Sequence, residues 1–177
     1  MNLVAFDVET HKIQRGLLCP PLVCGSFADQ NGAALRDKAG TLGGFRVLMS
    51  DRNTVVAGAN SAYDLLVMAN ECGTLADMRS IFAKYEDGLV WDVSISQALN
   101  DIKFGHLGMM YDGSPMRVAG KVTNRYSLAM TTKIHTGRDD AKLNDRWRTS
   151  YALLENTPIE EWPDDARQYP IDDAVNT

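Results

Sequence analysis

The alternation of apolar and polar residues at the start of the chain predicts three consecutive β-strands. Residues 2–10 form an apolar, β-branched run typical of a buried strand, and residues 22–28 alternate well enough for a second one. Asn31-Gly32 lies in the turn that follows and is a strong hairpin signal. We therefore expect a third strand, residues 33–37, to pair antiparallel with the second.

Further along the chain, the pattern changes between strand and helix periods. Residues 54–58 form an apolar run of the kind found inside a covered sheet, and residues 89–93 predict another short strand. Helices are expected over residues 43–50, 60–72, 75–85, 94–99, 127–134 and 142–154, and in a last segment that begins near Pro163. The chain is therefore predicted to be α/β, with a mixed five-stranded sheet flanked by helices.

Residues 103–127 interrupt this regular pattern. Glycine and proline recur through the segment, at Gly105, Gly108, Gly113, Pro115 and Gly120. Long irregular segments inside compact domains are usually functional or disordered. We interpret residues 103–127 as a protruding hairpin or loop insert within one domain that spans residues 1–177.

Length and composition limit the class of protein. A chain of 177 residues with 45% hydrophobic content can bury one sizeable core. No apolar run approaches the ~18 residues that a membrane span needs. The three cysteines, Cys19, Cys24 and Cys72, show no C-x-x-C spacing, so we expect reduced thiols and no zinc site. These features predict a soluble, cytoplasmic protein with no membrane contact.

The charge is unevenly distributed along the chain. The net charge is −5, yet residues 103–148 hold nine Lys or Arg against four acids. A basic segment beside an acidic centre suits a phosphodiester substrate whose backbone is held in one place while its scissile phosphate lies in another. A solvated helical face explains the same charges equally well.

Two acids end the first predicted strand. Asp7 and Glu9 are two residues apart, so their side chains share a face of the strand. Two carboxylates about 4 Å apart repel by roughly 4 kcal/mol at an effective dielectric constant of 20. A divalent cation between them would relieve this repulsion, although acids also commonly cap a strand where it enters a loop.

Two further motifs carry acids. Asn60-x-x-x-Asp64 lies where a predicted strand becomes a helix, and Tyr169-x-x-x-Asp173 lies on the last predicted helix. Each motif has a structural explanation as well. Asp64 can stabilise a helix N-terminus electrostatically, and Tyr169 can pack along its helix.

Together the three motifs resemble the DEDD superfamily of 3′→5′ exonucleases, which have an RNase H-like fold. The tyrosine four residues before Asp173 is typical of the tyrosine subclass, which includes polymerase proofreading domains and RNase D-type nucleases. The histidine subclass requires histidine five residues before the last acid, where this chain has Gln168. The resemblance spans nearly the whole chain. Additional similarity to family A polymerases, phage-type or bacterial, and to RNase D relatives lies at Trp91-Asp92, Ser127-Leu128, Lys142 and Trp147.

The resemblance implies a role for each matching residue. Asp7 would bridge two Mg²⁺ or Mn²⁺ ions, Glu9 and Asp173 would complete the site of the first ion, and Asp64 would hold the second. Tyr169 would orient the attacking water. Thr10 and Asn60 correspond to residues near the terminal nucleotide and the second ion.

The function implied is hydrolysis of the terminal phosphodiester at a single-stranded or frayed DNA 3′ end, as in proofreading during DNA replication. A DNA polymerase domain, in cis or in trans, is the expected partner. An RNase D-like exoribonuclease is an alternative. A non-catalytic nucleic-acid-binding domain and an RNase H-like endonuclease or integrase are the others, although endonucleases of that type lack the motifs at Asn60 and Tyr169.

Overall fold

A computed structural model describes residues 1–105, 117–118, 121–122, 126–138 and 146–177. Five strands form the main sheet, in the order β3-β2-β1-β4-β5. They are β1 (Asn2–Thr10), β2 (Leu22–Asp29), β3 (Gly32–Asp37), β4 (Thr54–Gly58) and β5 (Val90–Asp92). The sheet is mixed, because β1, β2 and β3 pair antiparallel while β1, β4 and β5 pair parallel. The predicted fold class is confirmed. The strand order, which the sequence did not predict, places β1 at the centre of the sheet.

The helices lie on both faces of this sheet. They are α1 (Lys38–Ser50), α2 (Ser61–Cys72), α3 (Leu75–Glu86), α4 (Val93–Phe104), α5 (Leu128–Thr136) and α6 (Asp164–Asn176). Short 3₁₀ segments cover Trp147–Thr149, Tyr151–Leu154 and Ile159–Glu161. Within the described residues, no helix combines the length and apolarity that crossing a membrane requires.

Alternate side chains of β1 point to opposite faces of the sheet, and a different core covers each face. Phe6 and Val8 point to one face, where they pack with residues of α1 and α2 such as Phe45 and Met68. The rings of Phe6 and Phe45 lie 5.4 Å apart, centroid to centroid. Asp7 and Glu9 point to the opposite face, since side chains alternate along a strand. The main apolar core therefore lies behind the two acids.

A second core covers the acid-bearing face on the β2 side. It is largely aromatic and packs α6 and the 3₁₀ segments against β2; its buried members are Val23, Cys24, Trp147, Tyr151, Leu154, Trp162 and Ala166. A smaller group of alanines, Ala5, Ala28 and Ala174, lies between α6 and the sheet. Because alanine side chains are short, α6 can approach β1 and β2 closely at this point.

Helix α1 begins earlier than its sequence suggests. We expected it over residues 43–50, but it begins at Lys38 because the Asp37 side chain accepts a hydrogen bond of 2.7 Å from the Gly40 N–H. Gly44 lets this helix pack closely against β2. A Cβ on Gly44 would lie 3.1 Å from the Phe27 ring.

Two other helix predictions need correction. Helix α4 was expected to end at Leu99 but continues to Phe104. The expected helix over residues 142–154 is wrong in its described part, because residues 147–154 form two 3₁₀ segments with hydrogen bonds from Ser150 N–H to the Trp147 carbonyl and from Leu153 N–H to the Ser150 carbonyl. The side chains predicted to be its apolar stripe, Trp147, Tyr151 and Leu154, are nevertheless buried.

Two short paired strands of the insert are described. β6 (Arg117–Val118) pairs antiparallel with β7 (Lys121–Val122). The rest of the interpretation of residues 103–127 as a protruding hairpin or loop lies outside the described residues, apart from the end of α4 at its start and the turn at its end.

Candidate active site

The site begins at the end of β1 that precedes the loop at His11. Asp7 and Glu9 share the face covered by α6, and they lie opposite Ser26 and Cys24 of β2. Glu9 is buried, while Asp7 is half-buried. The pairing register shifts between Glu9 and Thr10, so the regular ladder ends where the two acids stand.

Helix α6 brings a third carboxylate to this pair. Asp173 precedes Ala174, which packs into the alanine contact between α6 and the sheet. Ligand oxygen atoms of Asp7, Glu9 and Asp173 all lie within 4.8 Å of one another. Three carboxylates at this separation repel one another in the absence of a cation. Carboxylate oxygens are also the ligands that Mg²⁺ and Mn²⁺ prefer, so the donor set fits a hard divalent ion.

Asp64 lies beside this cluster but does not belong to it. It is in the first turn of α2, immediately after β4, and only 4% of its surface is exposed. Burial raises the pKa of Asp64 well above its usual range, and the nearby Asp7 carboxylate raises it further. Hydrogen bonds from the backbone N–H groups of Val8 and of Asp64 itself act in the opposite direction. Asp64, the remaining acid of the three sequence motifs, is thus close to Asp7, on the α2 side of the site.

Asp92 holds the start of α2 in place. One of its carboxylate oxygens accepts hydrogen bonds from the Ser61 N–H, at 2.7 Å, and from the Ser61 hydroxyl, at 3.0 Å. The other oxygen caps α4 through the N–H groups of Ser94 and Ile95. Asp92 thereby connects the start of α4 to the start of α2, the helix that carries Asp64 in its first turn. This connection was not predicted from the sequence.

Tyr169 lies on α6 one helical turn before Asp173. Residues four apart on a helix share a face, so the phenol and the carboxylate are presented together. Tyr169 is half-buried and packs against the aromatic core. Its ring centroid lies 6.3 Å from that of Tyr151.

Thr10 and Asn60 occupy different environments. Thr10 is buried, and its hydroxyl donates to the His11 carbonyl and pairs with the Tyr63 hydroxyl at 2.9 Å. Asn60 is exposed and has a left-handed backbone, with φ +66°, that turns the chain from β4 into α2. Its carbonyl accepts a hydrogen bond from the Tyr63 N–H.

Tyr63 is a site residue that the sequence reasoning did not single out. Burial raises the pKa of its hydroxyl, the Thr10 hydrogen bond lowers it, and the charges of Asp64 and Glu9 raise it. The phenol therefore lies near both acids and remains a neutral hydrogen-bonding group. Its position directly before Asp64, in the first turn of a helix at the site, was the available signal.

Two neutral groups line the protein side of the acids. Burial raises the pKa of the Cys24 thiol, and the charges of Glu9 and Asp7 raise it further. Burial likewise raises the pKa of the Tyr151 phenol, with further contributions from Glu9, Cys24, Tyr169 and Asp173. Neither side chain ionises near neutral pH, so neither adds negative charge to the acidic cluster.

Comparison with known proteins identifies the fold. No protein-family model matches the chain, and no curated protein sequence matches it. Among solved structures, the chain is similar to Escherichia coli RNase D, an exoribonuclease involved in structured RNA processing, with a TM-score of 0.61 and 17% identity. It is also similar to the catalytic core of RRP6 from Trypanosoma brucei, with a TM-score of 0.59 and 14% identity. The Nibbler EXO domain of Aedes aegypti gives a TM-score of 0.58 and 12% identity.

The matches extend over almost all of this chain but only part of the larger proteins. They cover 98% of the chain and 36% of RNase D, and 97% of the chain and 37% of the RRP6 core. For the Nibbler EXO domain the shares are 98% and 72%. The chain therefore spans little more than a third of the first two structures, and it has the RNase H-like exonuclease fold that they contain.

Proposed function

We propose that this chain is a metal-dependent 3′→5′ exonuclease that removes nucleoside monophosphates from single-stranded or frayed ends. One observation carries the proposal: the ligand oxygens of Asp7, Glu9 and Asp173 converge within 4.8 Å on a fold shared with RNase D. Asp64 lies beside Asp7, and Tyr169 lies one turn from Asp173. The positions of these five side chains support the proposal.

Asp7, Glu9 and Asp173 would hold the first divalent cation, and Asp7 and Asp64 would hold the second. Bound Mg²⁺ or Mn²⁺ supplies Lewis-acid stabilisation of the scissile phosphate and a water of lowered pKa. Because burial raises the pKa of Asp64 and a bound cation favours the ionised carboxylate, cation binding would lower this pKa again.

The remaining residues would position the reactants. The Tyr169 hydroxyl would hold the attacking water by a hydrogen bond, since its side chain shares a helix face with Asp173. The neighbouring hydroxyls of Thr10 and Tyr63 offer polar contacts for the terminal nucleotide. Such positioning groups typically contribute rate enhancements of about 10²–10⁴-fold when they handle or orient a proton.

The class of nucleic acid has two candidates, each with its own support. DNA proofreading, with a polymerase domain in cis or in trans, rests on the sequence similarity to family A polymerases. RNA processing of the RNase D type rests on structural similarity to an exoribonuclease and to the RRP6 core. The structural similarity favours RNA processing at least as much as proofreading, so RNA and DNA substrates need to be tested together.

Parallel digestion of end-labelled DNA and RNA oligonucleotides tests the proposal. Single-stranded substrates labelled at the 3′ or the 5′ end are incubated with Mn²⁺, with Mg²⁺ and with chelator. We expect the 3′ label to appear at once as a mononucleotide and the 5′ label in a ladder of shortening products. Internal cuts would indicate an endonuclease, and binding without products would indicate a non-catalytic domain.

A further inference from the structure

Helix α6 contains a proline directly after the proposed water-positioning tyrosine. Pro170 lies inside the helix, between Tyr169 and Asp173. Proline has no backbone N–H, so it cannot form the helical hydrogen bond to the carbonyl four residues earlier, which is that of Ala166. An interior proline also tends to kink its helix at this position. The helix that presents two site residues therefore lacks one of its own hydrogen bonds.

A side chain from outside the helix replaces that bond. The Tyr151 hydroxyl donates a hydrogen bond of 2.8 Å to the Ala166 carbonyl. Tyr151 and Ala166 are both 0% exposed, so water cannot serve as the donor instead. A buried carbonyl without a donor is costly, and Tyr151 supplies a donor to the carbonyl that would otherwise pair with an N–H at position 170.

A second hydrogen bond fixes the proline itself. The Ser26 hydroxyl donates to the Pro170 carbonyl at 2.7 Å, and both residues are fully buried. Ser26 lies on β2 directly opposite Asp7 of β1. One cross-strand pair thus provides both a candidate metal ligand, Asp7, and a hydrogen bond to α6, from Ser26. This geometry ties the segment between Tyr169 and Asp173 to the strand pair that carries Asp7.

We propose that Tyr151 and Ser26 are positioning residues that hold α6 around Pro170 and thereby set the placement of Tyr169 and Asp173 relative to Asp7 and Glu9. The proposal rests on the proposed function for its catalytic consequence. Its physical basis is independent of that function, because the hydrogen bonds to Ala166 and Pro170 exist whatever the reaction. Neither residue is expected to touch substrate.

The alternative is that Tyr151 only fills space in the aromatic core. Its ring packs against Trp147, Trp162 and Tyr169, with centroids about 6 Å away. Replacing tyrosine with phenylalanine keeps this ring and removes only the hydroxyl, so the Tyr151→Phe variant separates the two roles. If only the ring matters, the variant should behave as the wild type does.

A double-mutant cycle with Pro170→Ala provides the decisive comparison. Alanine at position 170 restores a backbone N–H that can bond to the Ala166 carbonyl. In the background that keeps Pro170, Tyr151→Phe should lower kcat about tenfold and leave KM nearly unchanged, because small displacements of catalytic groups are costly. In the Pro170→Ala background the same substitution should change kcat less than about twofold. An equal loss in both backgrounds would overturn the proposal, as would a Tyr151→Phe enzyme with wild-type kcat.

Two further variants keep the test interpretable. Ser26→Ala should lower kcat in the same direction without altering α6 itself, so it replaces Pro170→Ala if that variant fails to fold; unchanged kcat in Ser26→Ala would then contradict the proposal. Tyr85→Phe is the matched control, because Tyr85 is 44% exposed on α3. It should leave kcat and Mn²⁺ affinity unchanged.

Mn²⁺ affinity separates failure of this proposal from failure of the proposed function. The dissociation constant can be measured from the Mn²⁺ dependence of the melting temperature, with no substrate present. If the wild type binds Mn²⁺ but hydrolyses no nucleic acid, the proposed function fails. The double-mutant cycle is then evaluated from the Mn²⁺ dissociation constants of its four proteins. In the Pro170 background, Tyr151→Phe should weaken Mn²⁺ binding several-fold. In the Pro170→Ala background, the same substitution should leave Mn²⁺ binding unchanged. Equal affinities in all four proteins would contradict the positioning role.

Discussion

The two sides of the acidic site are held in place by different means. On the α6 side, Asp173 reaches Asp7 and Glu9 because alanines allow a close approach and side chains from elsewhere repair the helix at Pro170. On the α2 side, Asp64 is buried and accepts backbone hydrogen bonds. Asp92 bonds to Ser61 at the start of the same helix. The first side depends on packing and hydrogen bonds between α6 and the rest of the fold, whereas the second depends on hydrogen bonds at the N-terminus of α2, two of them to Asp92 of β5.

This difference predicts how each side responds to change. Substitutions on the α6 side should affect hydrolysis more than stability, because Asp173 and Tyr169 are only half-buried. Substitutions on the α2 side should affect both, because removing a capping group leaves buried donors without partners. The predictions below test this contrast, beginning with the largest expected effect.

Asp173→Ala should abolish hydrolysis while the protein remains folded. The substitution removes one of three converging ligands and no part of the apolar core. The measurement is release of labelled mononucleotide, with circular dichroism as the check on folding. Asp172→Ala is the matched control, since Asp172 is an exposed neighbour whose carboxylate accepts a hydrogen bond of 2.7 Å from the Gln168 side chain. Comparable losses in both variants would contradict the assigned ligand set.

Tyr169→Phe should reduce kcat about 10²-fold or more, within the range for a group that orients a reacting water. Metal affinity should change little, because the carboxylates stay in place. Steady-state kinetics and a Mn²⁺ titration measure the two quantities separately. A fully active variant would make Tyr169 a packing residue of the aromatic core.

Asp92→Ala should destabilise the protein by about 1–2 kcal/mol, because it removes the cap of α4 and the contact to Ser61. We expect a fall in melting temperature of about 2–4 °C for each kcal/mol. Activity should also fall, since the first turn of α2, which carries Asp64, loses the hydrogen bonds between Ser61 and Asp92. Glu86→Ala, an exposed acid on α3, is the control for stability.

The pH dependence of stability should report on Asp64. Because its pKa is raised on folding, the folded state binds more protons than the unfolded state between the usual Asp pKa of 3.8 and the raised pKa. Stability of the metal-free protein should therefore fall as pH rises through the raised pKa. Asp64→Asn should flatten this slope, measured by thermal melting in chelator. An identical slope in both proteins would remove Asp64 as its source.

The sequence predicted the regular parts of this fold because their signals are local. Asn31-Gly32 indicates the β2–β3 hairpin, whose two turn residues are Gln30 and Asn31, and the apolar run before Asp7 indicates a buried strand. The start of α1 was missed because the sequence reasoning did not recognise Asp37 as the residue that caps it. Residues 147–154 were read as an α-helix because the 3₁₀ segments bury the same stripe of side chains.

The site was predictable in its acids and not in their support. Asp7, Glu9, Asp64 and Asp173 lie in three short motifs with fixed spacing, which a sequence displays directly. Pro170 signals that Ala166 lacks a helical donor, but no local pattern indicates that Tyr151 provides one. That information depends on how distant segments pack together. The Ser61 contact of Asp92 was missed for the same reason.

A Mn²⁺ titration of thermal stability tests the central claim most directly, because it asks whether the converging carboxylates bind a cation. At a hundredfold excess over the dissociation constant, binding to the folded state alone adds about 2.7 kcal/mol. The account predicts a rise of several degrees in the melting temperature of the wild type and of Asp172→Ala, and little rise in Asp7→Asn or Asp173→Ala. A wild-type melting temperature that does not change in millimolar Mn²⁺ would contradict it.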